Sequence, residues 1–165
     1  RPSMIRVQPM DRERAQEIAR WTYPGIYAQY SFQNSPETIA HLLNGAYFAV
    51  VDDQQPCPVG LYCYGPSAQI PTLLPNVYPP TAVDIGLGLH PSLCGRGAGE
   101  SFLRVGLDFG RRLYGPLPFR LSVAAFNQRA ITVYSRAGFQ TSRVIPNART
   151  GLPYHIMERP TLADP

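Results

Sequence analysis

Residues His90–Ser101 read HPSLCGRGAGES, with Gly95, Gly97 and Gly99 at alternate positions around one cation, Arg96. Glycine accepts left-handed backbone and carries no Cβ, so such a stretch can turn successive N–H groups toward one anion. A run that reads as a helix follows it, and a helix N-terminus favours phosphate. The chemistry expected is therefore the binding of a phosphate-bearing small ligand. A nucleotide-binding P-loop would end in Gly-Lys-Ser/Thr, but all fifteen Lys and Arg residues of this chain are arginine. A dinucleotide fingerprint needs G-x-G-x-x-G early in a βαβ unit. Neither GLGLHP nor GRGAGE has that spacing, and both fall late in the chain. The absence of lysine also excludes a Schiff-base nucleophile.

The remaining reactive side chains are sparse. Cys57, Cys63 and Cys94 are odd in number and not closely spaced, and His41, His90 and His155 share no ligand spacing with them. Neither a disulfide framework nor a metal site is expected. An acylated Cys94 would need a basic partner, and none is evident; His90, beside Pro91, reads as a loop residue.

The chain has 165 residues, 44% of them hydrophobic and 16% charged. That suits one globular domain with its own core, placed at 4–160. Arg1–Ser3 ahead of Met4 read as residues left by an expression vector. No apolar run reaches the ~20 residues of a membrane span, and no basic-then-apolar leader is visible, so a cytoplasmic protein without a membrane partner is expected. The net charge is +4, yet the arginines are scattered and only Arg111 and Arg112 are adjacent. That is a solvated basic surface rather than a nucleic-acid footprint.

These residues need elements to hold them. MIRVQP (Met4–Pro9) alternates as a strand. A helix follows, with Asp11 as cap and Pro24 as stop. SPETIAHLLNG predicts a second helix with Ser35 at the N-cap, Pro36 first in the helix, Thr38 at the third position and Gly45 as stop. AYFAVVD and PVGLYCYG predict a hairpin, and the Pro-rich PSAQIPTLLPNVYPP a loop that folds over something. AVDIGLGLH is the next strand. Beyond the glycine loop comes a helix with Phe102, Val105, Leu107 or Phe109, and Leu113 on one stripe. FRLSVAAF is a strand. NQRAITVYSRAGF is a helix capped by Asn127 and ended by Gly138, with Ala130, Ile131, Tyr134 and Ala137 inward. One or two strands close the chain, YHIMER among them. The order predicts a single α/β (α+β) domain around a central mixed sheet.

From Leu89 on, LHPSLCGRGAG resembles the acetyl-CoA loop of the GNAT superfamily of N-acetyltransferases: apolar–x–Pro, then Arg/Gln-x-x-Gly-x-Gly/Ala, then a helix. Cys94 stands where Arg or Gln is usual, at a position that contributes mainly backbone. Downstream, Asn127, Ala130, Tyr134, Gly138 and Phe139 match the family's Asn-x-x-Ala-x-x-x-Tyr-x-x-x-Gly-Phe helix. Both elements, in order, extend the resemblance over nearly the whole chain. It implies a mostly antiparallel sheet of six to seven strands flanked by about four helices, with splayed fourth and fifth strands. It also implies acetyl-CoA as co-substrate, with the pantetheine arm against the backbone of Leu87 and Leu89, where Gly86 and Gly88 allow close approach. Cys94, Gly95, Arg96, Gly97, Ala98 and Gly99 would hold the pyrophosphate, and Asn127 would touch the arm or the adenosine.

The implied reaction is direct attack of an amine on the thioester, in a ternary complex. The amine loses a proton and the departing thiolate gains one. By the family pattern Tyr134 is the acid that protonates sulfur. Asp84, the only acid on the fourth strand, is either the base or a salt-bridge acid, and alternation places it opposite Val83, Ile85, Leu87 and Leu89. Ser122 stands where some relatives have glutamate; a water chain could serve as base instead. The acceptor is expected near the first helices, in WTYPGIYAQYSF. Tyr23, Tyr27 and Tyr30 are expected to line its groove, while Trp21 and Phe32 read as core. Few acids lie nearby (Glu37, Asp52, Asp53), which disfavours a polycation and leaves small amines, amino acids and protein N-termini. The alternative reading is a non-catalytic acyl-CoA-binding or sensing module on the same fold. Either a monomer or a homodimer fits.

Overall fold

A computed structural model describes residues 4–161; the vector-derived reading of Arg1–Ser3 lies outside them. The chain divides into two compact units. One comprises residues up to Cys63 plus Leu87–Arg96, the other Tyr64–Gly86 plus everything from Gly97 on.

The first unit is an antiparallel sheet with short helices. β1 (Ile5–Pro9) pairs with β2 (Tyr47–Asp52), and β2 with β3 (Pro58–Tyr64). Between β1 and β2 lie α1 (Arg12–Ile18), a 3-10 turn (Gly25–Tyr30) and α2 (Pro36–Leu42). Both helices begin where side-chain caps put them. Asp11 accepts from Arg14 N, and Ser35 accepts from Thr38 N. Every residue of β3 is buried, as a strand covered on both faces requires. The end of β4 (Val83–Leu89) also belongs here, so the strand order is β1-β2-β3-β4.

The second unit holds the start of β4, then β5 (Phe119–Ala124), β7 (Pro153–Arg159) and β6 (Gln140–Pro146), in the order β4-β5-β7-β6. β4 and β5 are parallel, with Val83 opposite Phe119 and Asp84 opposite Arg120; the other pairs are antiparallel. The predicted mixed, mostly antiparallel sheet is thus present, with seven strands among the described residues. α3 (Gly99–Tyr114) and α4 (Gln128–Arg136) complete the unit. Gly138 ends α4 in the left-handed conformation at φ +96°, as its sequence position predicts.

Two details differ from the sequence reading. α1 stops at Ile18, well before Pro24, and the 3-10 turn Gly25–Tyr30 begins only after that proline. Leu113 is exposed rather than on the buried stripe of α3; Leu103, Gly106, Leu107 and Gly110 form that stripe with Phe102. Glycine there lets aromatic rings approach the helix backbone: the Tyr64 hydroxyl donates to Gly106 O at 2.6 Å. The Pro-rich loop does fold over something, since Val77, with Ile70 and Tyr78, packs on Ile145 of β6 and Ile156 of β7.

Candidate active site

The glycine loop begins where β4 ends. His90 N donates to Val59 O of β3 at 2.9 Å. The His90 side chain then caps a short turn, Pro91–Leu93, its Nδ1 accepting from Ser92 N at 3.0 Å. Cys94 Sγ rests near the carbonyls of Leu89 (3.9 Å) and His90 (3.7 Å). Gly95 has φ +75° and Gly97 φ +79°. A Cβ on Gly97 would meet no atom within 4 Å, so backbone conformation rather than crowding calls for glycine there. Gly95, Arg96 and Gly97 are exposed. By contrast, a Cβ on Gly88 would come within 3.2 Å of Leu61 Cδ2, so the smallness of Gly88 serves packing on β3.

The unit boundary falls between Arg96 and Gly97. On the far side, α3 starts without a side-chain cap on its first turn, so N–H groups that a cap would engage stay available to a ligand. Gly99 faces Val133 of α4. Asn127 Oδ1 caps α4 by accepting from Ala130 N at 3.1 Å. Tyr134, on the same helix, is half-buried with its ring centroid 6.1 Å from that of Phe139.

Asp84 is buried and ion-paired. Arg120 Nε and Nη2 donate to its two oxygens at 2.6 and 2.8 Å, and Gln69 Nε2 adds a third bond at 2.9 Å. Arg120 also donates to Pro79 O at 2.9 Å and lies over the Tyr78 ring at 5.2 Å. The Tyr78 hydroxyl accepts from Ile70 N and is 2.7 Å from Ser122 Oγ. The hydrogen bonds to Asp84 hold the Arg120 guanidinium above its usual pKa, and burial raises that of Tyr78. Sequence reasoning missed Arg120 and Tyr78. The available signal was Arg120 itself, a charge embedded in the apolar strand FRLSVA, which must find a partner when buried.

Of the acceptor-side aromatics, Trp21 is buried, its ring edge-on to Phe32 and to His90. Tyr27 and Tyr30 stack within the 3-10 turn at 6.3 Å. The Tyr23 hydroxyl donates to Leu89 O at 2.7 Å, and burial raises its pKa. Among the described residues no three His, Cys, Asp or Glu side chains gather as a metal site would need. No helix there is long and apolar enough to cross a membrane. The second unit also carries an open cleft of about 430 Å³ along Gln140–Ser142 and Glu158–Pro160; no glycine-loop residue lines it.

No curated protein sequence matches the chain. Solved structures do match the fold. A chimera of the spermidine N-acetyltransferase SpeG from Vibrio cholerae and hSSAT superposes with a TM-score of 0.70 at 16% identity, covering 95% of each chain. A GNAT-family acetyltransferase from Bacillus anthracis gives 0.71 at 11% identity, again over 95% of each. The ribosomal-protein-S18-alanine N-acetyltransferase from Escherichia coli gives 0.63 at 16% identity, over 98% of this chain and 97% of its own. A model of the acetyltransferase (GNAT) family matches residues 12–139, the helices and both motif elements included. The chain belongs to the GNAT family of acetyltransferases.

Proposed function

We propose that this protein transfers the acetyl group of acetyl-CoA to a primary amine, on a small molecule or at a protein N-terminus. One observation carries the reading: Gly95 and Gly97 adopt left-handed backbone in an exposed, arginine-bearing loop that runs into the uncapped start of α3. Such N–H groups suit a pyrophosphate. Gly95, Arg96, Gly97, Ala98 and Gly99 would bind it, with Cys94 contributing backbone. Leu87 and Leu89 would meet the pantetheine arm through backbone groups, and Asn127 would approach the arm or the adenosine.

In the reaction the amine nitrogen forms a bond to the acetyl carbon, the C–S bond breaks, and the sulfur takes the Tyr134 hydroxyl proton. The proton lost by the amine needs an acceptor. Asp84 could take it only by giving up its bonds to Arg120 in a buried setting. The ion pair therefore supports Asp84 as a structural anchor, with water as base. The same pair is the observation that favours the second reading, an acyl-CoA-binding module without catalysis. Tyr27 and Tyr30 are the aromatic faces proposed to meet the amine. Among the structural neighbours, one is named for a ribosomal-protein alanine, an acceptor inside the proposed range, and one for spermidine, a polycation outside it.

The test is calorimetric titration with acetyl-CoA and, separately, NADH, followed by thiol release with a panel of amines. Micromolar binding of acetyl-CoA alone, with amine-dependent thiol release, is expected. Binding without turnover on any amine selects the binding-module reading. No binding of acetyl-CoA overturns both.

A further inference from the structure

Tyr23 enters from the sequence as a wall of the acceptor groove, but its hydroxyl is committed elsewhere. It donates to the Leu89 carbonyl at 2.7 Å. The N–H of the same peptide unit, that of His90, donates to Val59 O of β3 at 2.9 Å. The last peptide of β4 before the glycine loop is thus held at both ends. In a trans peptide the C=O and N–H point in opposite directions. Since the His90 N–H faces β3, the Leu89 carbonyl faces the other edge of β4, and the Tyr23 hydroxyl stands on that edge.

Tyr23 is itself well anchored. Its N–H donates to Ser31 Oγ at 2.8 Å, and Phe32 N closes on Trp21 O at 3.1 Å. The Trp21 ring stands edge-on to His90 at 5.2 Å. Residues 21–32 are therefore fastened to the end of β4 at two points, one polar and one aromatic. Burial keeps the Tyr23 hydroxyl a proton donor well past neutral pH.

We infer that Tyr23 is a positioning residue for acetyl-CoA: its hydroxyl holds the Leu89 carbonyl in place on the β4 edge opposite β3 and couples that edge to acceptor segment 21–32. A carbonyl oxygen has two lone pairs, so Leu89 O can accept from Tyr23 and still receive an amide N–H of the pantetheine arm. The inference rests on the acetyltransferase reading and deepens it, because one residue then serves both substrates.

Tyr23→Phe keeps the ring and removes the tether. Two measurements separate the parts of the inference. Hydrogen exchange of the ligand-free protein is expected to quicken across Leu87–Cys94 in the variant; equal rates would overturn the tether whatever the protein's activity. Calorimetry is expected to show acetyl-CoA affinity weakened about three- to tenfold, the weight of one hydrogen bond. The kinetic counterpart is a raised KM for acetyl-CoA, with kcat recovered at saturation. Unchanged affinity despite faster exchange would overturn the link to the cofactor. A fall in kcat that saturation does not recover would make Tyr23 a group acting on the reacting atoms and overturn positioning. If the wild-type protein itself binds no acetyl-CoA, the acetyltransferase reading fails and takes the cofactor role with it, while the exchange result still reports on the tether.

Discussion

Asp84 and Arg120 stand opposite each other in the parallel register of β4 and β5, both nearly inaccessible to water. Removing either alone leaves a charge in an apolar surround, which costs far more than the pair itself contributes. Arg120→Met is expected to destabilise the protein by about 3–5 kcal/mol, read by urea unfolding. Asp84→Leu combined with Arg120→Met should recover much of that loss; a double variant no more stable than the single would mean that the lost bond to Pro79 O, not the stranded carboxylate, dominates. Tyr134 makes the opposite kind of prediction. Tyr134→Phe should cut kcat about 100-fold or more, with acetyl-CoA affinity little changed and stability near that of the wild type. An unchanged kcat would remove Tyr134 as the acid. Asp84 was legible in the sequence as a singular acid on an apolar strand, but its partner was not. Pairing across a parallel ladder depends on a register that no local pattern of VDIGLGL or FRLSVA encodes.

At the scale of elements, α3 owes its close seat to glycine. A Cβ on Gly110 would stand 2.8 Å from Tyr64 Cε1 and 3.0 Å from Phe119 Cε1, both in buried rings that cannot swing aside. Gly110→Ala is expected to lower stability by about 1–3 kcal/mol despite alanine's better helix propensity, as overpacking outweighs the gain. A more stable variant in thermal unfolding would show that the rings yield at no cost. Helix starts were legible because Asp11, Ser35 and Asn127 each accept a backbone N–H of their own helix, a local interaction with a local signature. The Gly25–Tyr30 turn was not, since a short 3-10 turn has no apolar period to read. From the sequence, β6 reads only as an optional strand. Six of its seven residues are exposed, so QTSRVIP lacks the alternation that marks a half-buried strand. Leu113 shares the spacing of the buried stripe yet is exposed, because helical spacing shows which residues share a face, not where along the helix the partner surface ends.

At the scale of the molecule, the chain's cations are all arginine, and this simplifies its behaviour in alkali. Arginine stays charged to beyond pH 12 and there is no lysine to discharge, so tyrosine dominates the titration above about pH 9. Tyr23 in the first unit, and Tyr78 and Tyr154 in the second, all have pKa values raised first of all by burial. The unfolded chain ionises its tyrosines near pH 10, before the folded chain does. A raised folded value means that the stability held by the neutral hydroxyl is complete below about pH 10 and is lost as pH rises through the folded pKa. Melting temperature should therefore stay level up to about pH 9 and fall beyond it. Tyr78→Phe should melt lower than the wild type at pH 8, having lost its bonds to Ser122 and Ile70, yet lose less between pH 9 and 11 because one of the titrating groups is gone. Parallel melting curves for the two proteins across that range would mean that Tyr78 ionises as freely in the fold as out of it, and that the loop carrying it opens before the rest of the second unit does.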